Sequence, residues 1–162
     1  AAGGGFVRAE DVSFPEIPGV EYTRIFNDLR FHDFRTLPPT GGPEYTVLVG
    51  QVDADGNMTG GLLHPHLAVP VGTYTGWNLR REGFAPDEQC AGSGSSFSFA
   101  ETEAERLARG DPRPSLEERY ASTEAYLTEL ETAAFQLVLD RLLLPDDAAE
   151  IVRTATEARL GR

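Results

Sequence analysis

The chain has 162 residues, 40% of them hydrophobic, and 26 Asp and Glu against 14 Lys and Arg give a formal net charge of −12. A chain this acidic repels the phosphate backbone and a polyanionic bilayer surface, which argues against nucleic acid and membrane as partners. No apolar run approaches the ~20 residues of a membrane span, and the single cysteine, Cys90, has no partner for an intrachain disulfide. Cys90 is therefore either a buried thiol or half of a bridge to a second polypeptide.

The opening Ala1-Ala2-Gly3-Gly4-Gly5-Phe6 lacks the basic and apolar regions of a signal peptide and reads as the middle of a longer chain or a processed end. Most of the 17 Gly and 11 Pro fall before residue 95. That distribution predicts an α+β unit with an irregular, loop-rich segment over 1–99 and a helical segment over 100–162. Pro15, Pro18, Pro38, Pro39 and Pro43 punctuate the start. Between them Tyr22, Ile25, Phe26, Leu29, Phe31 and Phe34 carry much apolar area for a loop, so extended chain anchored by aromatics is expected. Residues 45–52, rich in β-branched and aromatic side chains, read as a strand. Asp53-Ala54-Asp55-Gly56-Asn57 then reads as a turn, because Gly tolerates positive φ, and an extended piece over 61–71 completes a short β-hairpin.

From Ala100 the pattern becomes helical. A charged helix over 101–109 ends at Gly110 as its C-cap, and Ser115-Leu116-Glu117-Glu118 has the form of a capping box. Tyr126, Leu127, Leu130, Ala134, Leu137, Val138 and Leu142 recur every three or four residues, predicting one buried face on a helix over 123–143. Pro145 interrupts it, Asp146 caps, and a last helix runs over 147–160.

Little of the chemistry-bearing material fits a known site. The Asp53–Asn57 run fails as a calcium loop, since Gly56 stands fourth and His64 twelfth where an EF-hand needs Gly sixth and Glu twelfth. His64-Pro65-His66 puts two imidazoles on one side of a strand, but with three His in the chain and no third ligand nearby it is not read as a metal site. Gly92-Ser93-Gly94-Ser95-Ser96 has no apolar strand before it and no His after it. A flexible loop is therefore expected there, with no nucleophile at Ser93, Ser95 or Ser96. Cys90 has no neighbouring base to activate it. Asn57-Met58-Thr59 has the form of a glycosylation acceptor, a pattern that arises often by chance. The most unusual stretch runs from Pro70 to Arg80 and holds the only Trp. Aromatic rings beside glycines suit either a tightly turned packing element or a pocket wall, with Tyr74 and Trp77 as its surface and Asn78 and Arg80 orienting polar groups.

Val69-Pro70-Val71-Gly72-Thr73-Tyr74-Thr75-Gly76-Trp77-Asn78-Leu79-Arg80 resembles a signature of the large bacterial α/β-hydrolase-domain proteins. Three further segments agree in the same order: Phe14 to Val20, Val47 to Asn57, and Gly110 to Tyr120. The resemblance covers the chain from about Gly5. It implies that this material is the carboxy-terminal part of an α/β-hydrolase-type enzyme, with the catalytic Ser and His both upstream, so no triad residue carries over. It further implies an ester as the substrate class, no cofactor, and the upstream catalytic polypeptide as partner. The Trp77 segment would then line or support the substrate pocket. A stand-alone, non-catalytic interaction module is the competing expectation.

Overall fold

A computed structural model describes residues 5–22, 30–80, 83, 89–90 and 92–160. The strands pair two by two, all antiparallel among the described residues. Strand β1 (Phe6–Arg8) pairs with β4 (Leu48–Gly50), and β2 (Arg30–Asp33) with β3 (Thr40–Glu44). Likewise β5 (Gly72–Thr75) pairs with β8 (Ser95–Ser98), and the two-residue β6 (Asn78–Leu79) with β7 (Gln89–Cys90). The described residues also form a 3-10 turn at Ala9–Asp11 and five α-helices: the short α1 (Pro65–Ala68), α2 (Glu103–Arg109), α3 (Leu116–Arg119), α4 (Thr123–Leu139) and α5 (Pro145–Leu160).

Among the described residues two small apolar clusters hold these pieces. One packs Val12, Phe14 and Ile17, with Tyr22, Val52, Trp77 and Phe97 around them. The other packs Val69, Tyr126, Leu130 and Ala155, with Val71, Tyr120 and Ile151 at its edge. Helix α4 buries the face marked by Tyr126, Leu130 and Ala134 and packs against α5. Isolated two-stranded sheets are marginal in water, so their stability comes from these clusters and from what bonds to the strands.

The helical half follows its local signals closely. Thr102 caps α2 by accepting from the Glu105 amide, and Gly110 ends it at φ 67°, where an L side chain would be strained. The Ser115–Glu118 capping box forms in full at α3. Two boundaries differ from expectation. Helix α4 stops at Leu139 instead of residue 143, because Asp140 closes it and Arg141 turns left-handed at φ 60°. Pro145 opens α5 instead of interrupting a helix, as suits a residue with fixed φ and no amide to donate. Asp146 thus sits in the first turn and is not the cap.

The loop-rich half departs further. The turn at 53–57 forms as expected: Asp53 Oδ1 accepts from the Asp55 and Asn57 amides, and Gly56 sits at φ 82°. Past the turn only Val52 and Met58 bridge, and residues 61–71 do not form the second arm of a hairpin. His64 Nδ1 accepts from the His66 amide and Pro65 stands at N1, so 64–66 begins α1 and the strand placement of the two imidazoles is overturned. A proline without a ladder donor favours that outcome. Residues 95–98, at the end of the expected loop, are strand β8, because pairing with β5 overrides the weak local preference of Gly and Ser. The hairpin of the first half is β2–β3, and there Phe31, Phe34 and Leu37 stay exposed, Leu37 at 96%. Of the expected aromatic anchors Tyr22 packs on a core cluster, against Phe14 and Trp77, while Phe31 meets the Tyr45 ring, 5.0 Å between centroids, at the surface; Ile25, Phe26 and Leu29 lie outside the described residues.

Candidate functional site

The segments singled out in the sequence converge on strand β5, where they form two different environments. The first is a buried polar network around Arg113, a residue only 2% exposed. Its guanidinium donates Nε and Nη2 to the two oxygens of Asp111, at 2.9 and 2.6 Å. Nη1 reaches Thr73 Oγ1 at 2.8 Å and the Phe97 carbonyl at 2.9 Å, and Nη2 reaches the Ser98 carbonyl at 3.3 Å. Burial pushes the Asp111 carboxyl up, but the Arg113 hydrogen bonds outweigh it and hold the group below its usual range. Thr73 in turn donates its hydroxyl to the Asp55 carbonyl.

Asp55 and Asn57 extend the network. Arg119 donates to the Asp55 carboxylate and lies 4.0 Å above the Phe99 ring, a cation held over an aromatic face. Asn57 is 1% exposed; its Nδ2 donates to the Gly72 carbonyl at 3.0 Å and its Oδ1 accepts from the Tyr74 amide at 2.8 Å. An asparagine so placed is closed to glycosylation in the folded chain. Tyr120 adds a bond from its hydroxyl to the Pro70 carbonyl at 2.8 Å, and burial pushes that phenol up to about 12. Each charged or polar side chain described in this network has a partner, so its chemistry is spent on structure.

The second environment is apolar and open. Beside the first cluster lies a recess of about 400 Å³, walled by Phe14, Tyr22, Trp77, Tyr74, Met58 and Val52 among others. Its volume lies in the range of small-molecule sites. The rings of Phe14, Tyr22 and Trp77 stand 4.9 to 5.5 Å apart in tilted and edge arrangements, spacings that aromatic quadrupoles favour. Of the four pocket residues expected from the sequence, Tyr74 and Trp77 line this recess. Asn78 and Arg80 are exposed and lie outside its lining.

No histidine ring among the described residues accepts from a hydroxyl. His64 receives the His66 amide, and His32 adjoins Asp33, which is bound to Arg35. His66 stacks on Tyr74 with centroids 6.4 Å apart, and burial lowers its proton affinity, with His64 adding to the effect. Among the described residues no group of three or more His, Cys, Asp or Glu is placed to hold a metal. The Cys90 side chain lies outside them.

A family profile described as "Alpha/beta hydrolase domain" matches residues 30–153, more than half of the chain. The chain belongs to that family. No match was found among curated proteins, and none among solved structures. The matched stretch contains the Arg113 network and the Tyr74–Trp77 wall of the recess, while Val12, Phe14 and Tyr22 precede it; no Gly-x-Ser-x-Gly sequence occurs anywhere in the chain. Nor do the described residues form a parallel strand pair of the kind that presents such an elbow.

The residues that sequence reasoning missed are those of the network and of the far recess wall. Arg113 and Asp111 look like ordinary surface charges in an acidic chain. What marks them in the sequence is their place in the Gly110 to Tyr120 segment of the resemblance, and the Pro112 and Pro114 that flank Arg113 and stiffen its backbone.

Proposed function

We propose that this chain is the carboxy-terminal portion, or a subunit, of an α/β-hydrolase-type esterase whose nucleophilic Ser and catalytic His lie on an upstream polypeptide. The observation that carries the reading is a family member that has an open aromatic recess and no nucleophile elbow. In such an enzyme the upstream Ser Oγ adds to the ester carbonyl while its proton passes to His. The alcohol leaves with that proton, and water then releases the acid. The present chain contributes the Tyr74–Trp77 wall that receives part of the substrate. Exposed apolar residues support docking on a larger body: Phe34 and Leu37 on the β2–β3 hairpin, and Phe135, Leu139 and Leu144 around the α4–α5 turn.

One observation favours a second reading, a stand-alone interaction module: the Arg113 network is satisfied wholly inside the chain and needs no partner to complete it. Labelling of natively purified material with a fluorophosphonate separates the two. The esterase reading expects label on a larger, accompanying polypeptide and none on this chain. Label at Ser93, Ser95 or Ser96 of this chain would overturn it, and a lone, unlabelled, folded chain would leave the interaction module in its place.

A further inference from the structure

The recess beside Trp77 is selective by its lining. Among the described residues its walls hold no Asp, Glu, Lys, Arg or His, and the chain around it carries a net charge of −12. An anion entering would lose hydration to a surface that offers no cation in return. An uncharged ring or acyl chain meets the Phe14, Tyr22 and Trp77 rings and the Met58 thioether in the lining, and sulfur–aromatic contact is favourable. Met58 is 48% exposed, so this unbranched, adaptable side chain stands at the boundary between recess and solvent. It lies over Gly50, where an added Cβ would come within 2.5 Å of Met58 Sδ and displace it. We infer that the recess is a binding site for an uncharged aromatic or acyl group, with Met58 as its adjustable mouth and the Phe14, Tyr22 and Trp77 rings as its floor. The inference rests on the esterase reading for its biological meaning, since it makes this group the apolar part of an uncharged ester. The binding itself requires nothing upstream.

The chain holds one Trp and one Met, and both line the recess, so each reports on this site alone. The test titrates the full chain with phenyl butyrate, an uncharged ester, and with 4-phenylbutyrate, an anion of similar size. The ester should change Trp77 emission saturably, and the anion should need at least tenfold higher concentration for the same change. Gly50→Leu, which adds a side chain to the recess lining and displaces Met58 from its place there, should weaken ester binding at least tenfold. Should that variant fail to fold, the methyl carbon signal of isotopically labelled Met58 in the unsubstituted chain decides, and it should shift at saturating ester. An emission change that never saturates, equal responses to ester and anion, or an unmoved Met58 signal would overturn the site. Because the titration involves this chain alone, its failure leaves the shared-enzyme reading standing. Failure to find a labelled upstream polypeptide likewise leaves a measured binding constant intact.

Discussion

Thr73 and Trp77 are four residues apart, yet they belong to opposite environments. Thr73 is fully buried and bonded to Arg113 and Asp55. Trp77 is half-buried against Phe14 and Tyr22 with open space beside it. The polar residues, which by composition look like the chemistry, are structural; the apolar ones are those left available. A charged cluster in a hydrolase-family chain is therefore weak evidence for a catalytic site until its partners are counted.

The contrast breaks most sharply at Arg113. Arg113→Ala leaves the Asp111 carboxylate buried without its partner, together with unmet carbonyls at Phe97 and Ser98. Loss of one member of a buried ion pair costs about 3–5 kcal/mol. The expected outcome is a chain that loses its cooperative melt, read by circular dichroism. Retention of the wild-type melt would mean that the network does not hold β5 to the helical half. Next comes Asn57→Ala, which leaves the Gly72 carbonyl and the Tyr74 amide unsatisfied and should cost about 1–3 kcal/mol by denaturant titration.

Acid sharpens the comparison, because the polar network and the α3 cap titrate and the recess does not. Hydrogen bonds from Ser115, then from Arg106, lower the Glu118 carboxyl from an ordinary 4.5 to about 2. The folded state then binds fewer protons than the unfolded chain between those values, so the stabilisation is complete above about 4.5 and is lost as pH falls towards about 2. Asp111 acts in the same direction. Denaturation midpoints should therefore fall across that window, and Glu118→Gln should flatten the fall; a midpoint independent of pH there would contradict the assignment. The smallest effect on stability is expected at Met58→Ala, within about 0.5 kcal/mol for so exposed a side chain. Its consequence should appear in ester binding instead. A large loss of stability would make Met58 part of the core and not the mouth of a site.

How much of this was legible in the sequence depends on the range of the forces involved. Gly110, the Ser115–Glu118 box and the spacing of Tyr126, Leu130 and Ala134 act over one or two helical turns, and the helical half follows them. Strand β8 and helix α1 depart from the sequence expectation because the first is set by pairing with a strand some twenty residues away. The second is set by one proline and one histidine side chain. In the candidate site, Tyr74 and Trp77 stood out as aromatics beside glycines. Asn78 and Arg80 follow them in sequence but lie outside the recess lining, since Asn78 belongs to β6, which pairs with β7, and Arg80 follows that strand. The role of Arg113 was not legible at all, because its Thr73 partner lies forty residues earlier.

The most direct test of the central claim is intact mass spectrometry of natively purified material, first under non-denaturing and then under denaturing, reducing conditions. The account predicts a second, larger polypeptide that leaves only on denaturation and whose sequence contains a Gly-x-Ser-x-Gly elbow with a His downstream. A chain that flies alone at 17.6 kDa, folded and without a companion, would contradict it and leave the stand-alone module as the function.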